Sequence, residues 1–270
     1  MKQVSLTHAL ILPSFNSGAA LLPTVTAALQ VWSPVFVVID GSDDGSDDGL
    51  TALQLQRADL IVLRLPRNQG KGAAVLCGAR LACDRGFTHA LVMDADGQHS
   101  IESIANFMST SKARPDALVL GRPVFPPNVP KERLHGRKLS VVMVWLEILG
   151  CGIDDPLFGF RVYPLSALLA ALERRRTGRR YDFDTEAAVR LVWAGVPALN
   201  LPAPVRYPSR SEGGISHFRY GRDNARLVGM HVRLLVELIL WRWLWVCRAR
   251  RKFRGAEVPR PRRTYDAANS

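Results

Sequence analysis

Cysteine is scarce in this 270-residue chain: Cys77, Cys83, Cys151 and Cys247 are the only four, with no Cys-x-x-Cys spacing and no even framework. That excludes a disulfide-stapled miniprotein and fits a reducing, cytoplasmic compartment. The first apolar run, residues 9–12, is too short for the core of a signal peptide and stops at Pro13, so it reads as a strand. Internal repeats are absent, and a composition of 47% apolar and 22% charged residues excludes disorder and collagen-like arrays. Acid is in short supply. Against 36 Lys and Arg there are 24 Asp and Glu, for a net charge of +12. Eight basic side chains and one acid fall between Arg248 and Arg263, so about half of the excess belongs to a tail.

What is present suffices to bury a full core, as one large α/β domain or two small ones. Strand-length apolar runs at residues 8–12, 35–39, 60–65, 89–93 and 117–120 alternate with helical patterns at 19–30, 72–84 and 101–111. This alternation predicts βαβ units and a mostly parallel sheet. After about residue 122 come a Pro-rich basic loop, an apolar helix near 139–149, a turn-rich stretch at 151–163, and helices near 165–175 and 185–194. The first four strands each run into a polar, Gly-rich or acidic loop. In an open α/β sheet, ligands bind outside the carboxyl ends of the strands. The unusual residues of the first half are therefore expected on one edge of one sheet.

Three of those loops carry chemistry. In Met93-Asp94-Ala95-Asp96-Gly97-Gln98-His99, two carboxylates and an amide follow a buried strand. Hard divalent cations with phosphate partners want oxygen donors, few protein ligands and open positions; the alternative is a solvated acidic turn. In Ile39-Asp40-Gly41-Ser42-Asp43-Asp44, a strand enters an acidic Gly/Ser loop that lets backbone approach a ligand while a carboxylate accepts hydrogen bonds. Asp47 and Asp48 read as surplus surface acid. The third, Arg67-Asn68-Gln69-Gly70-Lys71-Gly72, lacks the Ser or Thr and the upstream glycine of a Walker loop. It still puts backbone N–H groups and a lysine at a helix start, where an anion is favoured.

Taken in order, the Pro13-x-x-Asn16 loop, the strand into Asp40-Gly41-Ser42, the Asn68-x-Gly70-Lys71-Gly72 helix start and Asp94-Ala95-Asp96-x-Gln98-His99 resemble the inverting family 2 glycosyltransferases. Within that family the likeness is to dolichyl- and polyprenyl-phosphate hexose synthases, and it covers roughly residues 8–218. The resemblance implies a GT-A fold, a Rossmann-like, mostly parallel sheet flanked by helices. It also implies transfer of a hexose, with inversion, from a nucleotide-diphosphate sugar (a UDP- or GDP-hexose) to a lipid-linked acceptor, with a divalent metal, Mn2+ or Mg2+. Polyprenyl phosphate is the first choice of acceptor, and a hydroxylated lipid or lipid-like pigment the second. By position, Pro13, Phe15 and Asn16 fall in the nucleotide-binding first loop, Asp40 at the nucleoside, and Asn68 and Lys71 along the nucleotide pocket. Asp94 and Asp96 make the metal motif, with Asp96 and Gln98 as direct ligands. Arg122 and Arg133 match basic positions near the diphosphate and the acceptor phosphate. Asp155-Pro156-Leu157-Phe158-Gly159-Phe160-Arg161 resembles the segment beside the acceptor. The stretch from Tyr207 through Arg210 to Ser216 and His217 resembles the loop that closes over the diphosphate. Three positions depart from the family pattern: Ile39 for a first Asp, Phe158 for Ser, and His217 for Lys. The last makes part of the charge stabilisation depend on protonation.

The chemistry follows from the residues. As the leaving group departs, charge develops on the β-phosphate, and a metal ion with Arg210 and Arg133 would stabilise it there. A phosphate acceptor is already anionic; a hydroxyl acceptor needs a general base, for which Asp155 or Asp154 is best placed. The other reading of these two is an Asx turn before Pro156.

Residues 227–247 are long enough to span a bilayer, but the energetics oppose it. Eleven Leu, Ile and Val residues contribute about −5 kcal/mol, whereas Arg233, Glu237 and Arg242 cost about +8 near the centre. Arg226, Met230, Arg233 and Glu237 recur at helical spacing, and Trp241, Trp243 and Trp245 suit an interface. An amphipathic helix lying on a membrane is expected, with packing onto the domain as the alternative. The division is then a catalytic domain at 1–226, an interface helix at 227–247 and a basic, disordered tail at 248–270. That tail is suited to an anionic membrane surface. The expected location is cytoplasmic, peripheral on the inner face of the cell membrane. The run from Arg174 to Arg180 reads as a helix end and exposed loop. Two other functions are weighed against this. A sugar nucleotidyltransferase wants a Gly-rich first loop, and here that loop is Leu12-Pro13-Ser14-Phe15-Asn16. A nucleic-acid-binding protein would use the basic charge, but that charge sits mainly in the tail while the motif edge is acidic, so no specific nucleic acid is expected.

Overall fold

The computed structural model describes residues 2–125, 131–150, 152–173, 175, 177–206 and 220–243, the side chains of 131–136, 220 and 242 excepted. Its strands are β1 (Gln3–Val4), β2 (His8–Ser14), β3 (Trp32–Ser33), β4 (Val35–Asp40), β5 (Leu60–Leu65), β6 (His89–Val92), β7 (Leu118–Val124), β8 (Arg161–Pro164) and β9 (Ala198–Pro204). Its helices are α1 (Leu21–Val31), α2 (Asp48–Gln56), α3 (Lys71–Asp84), α4 (Ser103–Ala113), α5 (Lys131–Glu147), α6 (Leu165–Leu172), α7 (Phe183–Trp193) and α8 (Tyr220–Glu237). A five-residue π turn, Leu238–Arg242, continues α8.

Seven strands form the main sheet in the order β5-β4-β2-β6-β8-β7-β9; β1 and β3 pair separately. Every pairing in the main sheet is parallel except those of β8, which runs antiparallel between β6 and β7. The expected mostly parallel sheet flanked by helices is therefore present. β2 and β4 are buried along their whole length because helices cover both faces, which is why their sequences are unbroken apolar runs rather than alternating ones. Successive residues still point to opposite faces. Ala9 and Ile11 join one core layer with Phe36 and Val38, while Leu10 and Leu12 join the other with Val35 and Val37. α3 lies close on the first face because its contact residues are small. A Cβ on Gly78 would stand 2.9 Å from Ile11 and 3.0 Å from Val38.

The antiparallel insertion has a consequence for function. Arg161, the first residue of β8, lies opposite Val92 at the end of β6 and Leu120 of β7. The loop entering β8, residues 153–160, therefore arrives at the same sheet edge as the loop leaving β6. Several elements differ from expectation: β1, β3 and α2 match no run singled out in the sequence, β8 begins inside the stretch read as turns, and β9 carries no strand signal because Pro202 and Pro204 interrupt it. Both prolines are tolerable because β9 is an edge strand. α8 begins seven residues before the expected start, and its Met230 and Leu234, with Leu238 in the π turn, are buried in the first core layer beside Val144 of α5 and Ile148 just past it. No helix among the described residues is long and apolar enough to cross a membrane.

At the amino end of the sheet, His8 stacks on His89 with ring centroids 4.5 Å apart. Burial first, then the charges of His89 and Lys112, lower the His8 pKa from 6.5 to about 4. Between those values the unfolded chain binds a proton that the native state refuses. Stability is thus complete above about pH 6.5 and is lost as pH falls toward 4. Urea unfolding is expected to show that loss, up to about 3 kcal/mol, and His8→Gln to flatten it.

Candidate active site

The site is assembled from loops at the carboxyl edge of the sheet. After β2, Asn16 adopts φ +48° and its amide exchanges two hydrogen bonds with Asp43, at 2.8 and 3.0 Å. Its backbone N–H donates to Ser42 at 3.0 Å. The loops after β2 and β4 are thus laced together, with Pro13 in register with Val38 and Phe15 the first residue past β2. At the end of β4, the buried Asp40 carboxylate accepts from the backbone N–H groups of Gln69 and Gly70, both at 2.7 Å. Asp40 therefore shapes the loop at 67–70. Gly41 cannot be replaced there: it sits at φ +67°, and a Cβ would lie 2.4 Å from the Arg67 carbonyl carbon. Asn68, on that loop, accepts from Arg180 at 3.1 Å.

Lys71, the first residue of α3, occupies the centre. Its ammonium lies 2.6 Å from Asp94 and 2.7 Å from Asp184, the second residue of α7. Gly159 closes over this group: a Cβ there would be 2.5 Å from Lys71 Nζ and 3.0 Å from Asp94 Oδ2. Burial disfavours the charged lysine, but the two carboxylates outweigh it and raise its pKa. Burial likewise pushes Asp94 up, and Lys71 with His99 overrides it, holding that carboxyl well below the usual carboxylate range. Asp96 goes the other way, raised by burial and then by the charge of Asp94. It accepts from the Gln98 backbone N–H at 3.0 Å. His99 faces Asp94 at 3.4 Å and packs between Phe158 and Phe160. In this chain Phe158 thus serves as a wall for His99.

The other side of the edge holds the loop into β8. Asp155 Oδ1 accepts from the backbone of Leu157 and Phe158 at 2.9 and 3.0 Å, and Oδ2 accepts from Arg137 of α5 at 2.7 Å. Burial raises the Asp155 carboxyl against the pull of Arg137. Asp154 is raised by burial as well, with Arg122 opposing from 3.9 Å. Beneath them the fully buried Arg161 donates to the carbonyls of Phe158, Pro156 and Asp184, tying this loop to the start of α7.

Of the expected site residues, the structure brings Lys71, Asp94, Asp96 and Gln98 together, places Pro13 and Asp40 at the ends of β2 and β4 and Phe15, Asn16 and Asn68 on the adjoining loops, and sets Arg122, Asp154 and Asp155 across from them. Arg133 lies on α5, with its side chain outside the described residues; Arg210, Ser216 and His217 also lie outside them. Four participants were not foreseen: Asp184, Arg180, Arg137 and Arg161. Arg137 could have been found, since it follows Arg133 by four residues on one helix face. Asp184 and Arg180 carry no local signal, and Arg180 instead falls in a run that reads as exposed loop.

Among the described residues no group of three or more His, Cys, Asp or Glu side chains could hold a metal alone. The donor set nevertheless fits a Mg2+- or Mn2+-like ion, which typically takes one or two carboxylates and completes its shell with water and substrate phosphate. Asp94, Asp96 and Gln98 supply such oxygens from one loop, and the cationic Lys71 already marks where positive charge is stabilised.

Residues 9–168 match the family Glycosyl transferase family 2. The chain is 28% identical over 204 residues to polyprenol monophosphomannose synthase of Mycolicibacterium smegmatis, covering 71% of this chain and 74% of that one. It is 26% identical over 202 residues to undecaprenyl-phosphate mannosyltransferase of Micrococcus luteus, covering 71% and 80%. Among solved structures, the mannosyltransferase PcManGT from Pyrobaculum calidifontis, in complex with GDP-Man and Mn2+, superposes with a TM-score of 0.57 at 15% identity over 96% of this chain and 80% of that one. At that identity the likeness is one of fold, and the fold is the GT-A arrangement.

Removing the central cation tests the electrostatics. Lys71→Met leaves Asp94 and Asp184 without their shared partner, and an unfolding titration is expected to show a loss of about 3–5 kcal/mol. Added Mn2+ should restore part of that stability by occupying Asp94, and not when Asp96→Asn is combined with it.

Proposed function

The chain belongs to glycosyl transferase family 2, and from that premise we propose that it moves a hexose from a UDP- or GDP-sugar to polyprenyl phosphate, with inversion at the anomeric carbon. The relatives named above support this acceptor class, since both act on polyprenyl phosphates by name. The observation that carries the reading is the convergence of Asp94, Asp96 and Lys71 with the Arg137–Asp155 pair on one sheet edge. One side suits a nucleotide diphosphate and the other an anionic acceptor.

The residues divide the work. The loops bearing Pro13, Phe15, Asn16, Asp40 and Asn68 hold the nucleoside end of the donor. Asp94, Asp96 and Gln98 would hold a divalent ion, which when bound supplies charge stabilisation to the departing diphosphate. An acceptor phosphate oxygen attacks the anomeric carbon from the opposite face as the bond to the β-phosphate oxygen breaks, and the electron pair leaves with the nucleoside diphosphate. Arg122 and Arg137 are placed to orient the incoming phosphate, with Arg133, Arg210, Ser216 and His217 as further contacts on sequence grounds. No proton need be removed from the attacking oxygen. That suits Asp155, whose two oxygens are already engaged by Arg137 and two backbone N–H groups. Asp155 acts as the post that aims Arg137 rather than as a base. Asp154 is the base to expect only with a hydroxylated acceptor. A lipid acceptor puts the enzyme at the inner face of the cell membrane as a peripheral protein, with residues 227–247 and the basic run at 248–270 as its contacts.

Calorimetric titration with UDP and then GDP, with and without Mn2+, tests the donor half. One diphosphate is expected to bind only with Mn2+, and Asp96→Asn to weaken that binding by at least about tenfold, since even partners of metal ligands are worth about 10–100-fold and this change removes a carboxylate oxygen that would hold the ion. Folded protein that binds neither would overturn the reading.

A further inference from the structure

α8 is an amphipathic helix mounted the wrong way round for a protein surface in water. Its charged side is turned into the domain. Asp223 is buried, His231 meets the buried Glu147 of α5 at 2.7 Å, Arg233 meets the buried Glu186 of α7 at 2.6 Å, and Glu237 pairs with Arg190 of α7 at 2.8 Å through both oxygens. Its apolar side faces out: Val228, Val232 and Val236 are each about half exposed or more, at 58%, 56% and 49%. The same holds next door on α5, where Leu139, Val142 and Trp145 are exposed.

The two helices pack against each other, and both send inner residues, Val144 from one and Met230 and Leu234 from the other, into the same core layer. Their outer rows therefore lie side by side, away from the sheet. Just past the carboxyl end of α8, Trp241 and Trp243 are exposed too. A continuous apolar surface of this kind marks an interaction site rather than ordinary surface.

We propose that the outer faces of α5 and α8 form one two-helix platform that lies on an anionic lipid bilayer, with α5 carrying the acceptor-binding Arg137 to the platform's margin. The proposal rests on the lipid-acceptor reading and extends it to a surface. Three observations choose a bilayer over a protein partner. The charge on the platform's margin is of one sign: Lys138 and Arg222 are exposed, while the described acids of the two helices (Glu147, Asp223 and Glu237) are buried or paired inward. In sequence, α8 leads to the run from Arg248 to Arg263, with eight basic side chains and one acid, which favours anionic headgroups. Two exposed tryptophans at one end suit the boundary between headgroups and acyl chains. The same helix also links surface and chemistry. Arg137 holds Asp155 at 2.7 Å, and Leu139 and Val142 follow within two turns on the outer side. An acceptor phosphate on a bilayer-held chain would thus meet the site at its own depth.

The test is flotation of the full chain with vesicles of phosphatidylcholine alone and with added phosphatidylglycerol. Val142→Lys on α5 and Val232→Lys on α8 change exposed side chains only, and Mn2+-dependent diphosphate binding serves as the check that each variant is folded. Wild type is expected to float with the anionic vesicles and shift its tryptophan emission to the blue, and each variant to weaken binding at least about tenfold. Val142→Lys floating like wild type would overturn the two-helix platform, leaving α8 alone. A wild-type dimer by sedimentation that Val232→Lys splits, with no vesicle binding, would assign the face to a second copy. Transfer to a short-chain, water-soluble polyprenyl phosphate should survive both variants. If vesicles bind but no such transfer occurs with any acceptor phosphate, the surface stands and the acceptor reading fails.

Discussion

A single buried ammonium holds the site in register. Lys71 at the head of α3 meets Asp94 from the loop after β6 and Asp184 from the head of α7, so segments more than one hundred residues apart in sequence converge on one charge. In a low-dielectric setting neither carboxylate can be left without a partner, and the lysine cannot either. Position is therefore enforced from three directions at once. The neighbouring residues obey that constraint: Gly159 must lack a side chain because Lys71 and Asp94 fill the space one would take, and Gly72 because Phe183 and the Gly178 carbonyl do. The arrangement also explains how an acidic edge stays folded before any ligand arrives. The lysine supplies positive charge at an edge whose carboxylates would otherwise repel one another.

The second organising fact is the direction of β8. In a purely parallel sheet every loop at this edge follows a strand, and the residues entering each strand lie at the opposite edge. By running antiparallel between β6 and β7, β8 presents the loop that precedes it instead. That one reversal sets the Asp154–Gly159 segment opposite the Asp94–Asp96 loop. Arg161 then fixes the segment from below through three carbonyls. The two acidic loops thus face one another across an edge built from a single sheet.

Much of this could be read in the residue order, and the remainder fails for identifiable reasons. The doubly covered strands β2, β4 and β6 announce themselves as apolar runs, because burial on both faces leaves no other composition workable; β5, an edge strand only partly buried, still matches the apolar run at residues 60–65. β8 hides because its first residue is an arginine, a choice that makes sense only once three carbonyls are known to surround the guanidinium. β9 hides behind its prolines. In the site, Asp94 and Asp96 were legible because two acids after a strand are locally odd. Asp184 was not, since an acid at the start of a helix is ordinary. The spacing of Arg233 and Glu237 showed that α8 has two faces, but not which one the domain would take. That choice depends on Glu186, Arg190 and Glu147, whose positions in the sequence say nothing about α8.

The inward pairing of α8 has a mechanical meaning. To lift away from the domain, the helix would have to take Arg233 from Glu186, His231 from Glu147 and Glu237 from Arg190, leaving Glu147 buried without its hydrogen-bond partner, an outcome that costs more than ordinary surface contacts return. α8 is accordingly a bracket and not a tether. Whatever meets its outer face meets the whole folded body at a set tilt and height, and under the proposed function the distance from that face to Arg137 and Asp155 would be a built-in gauge that selects among acceptors by where they hold their phosphate.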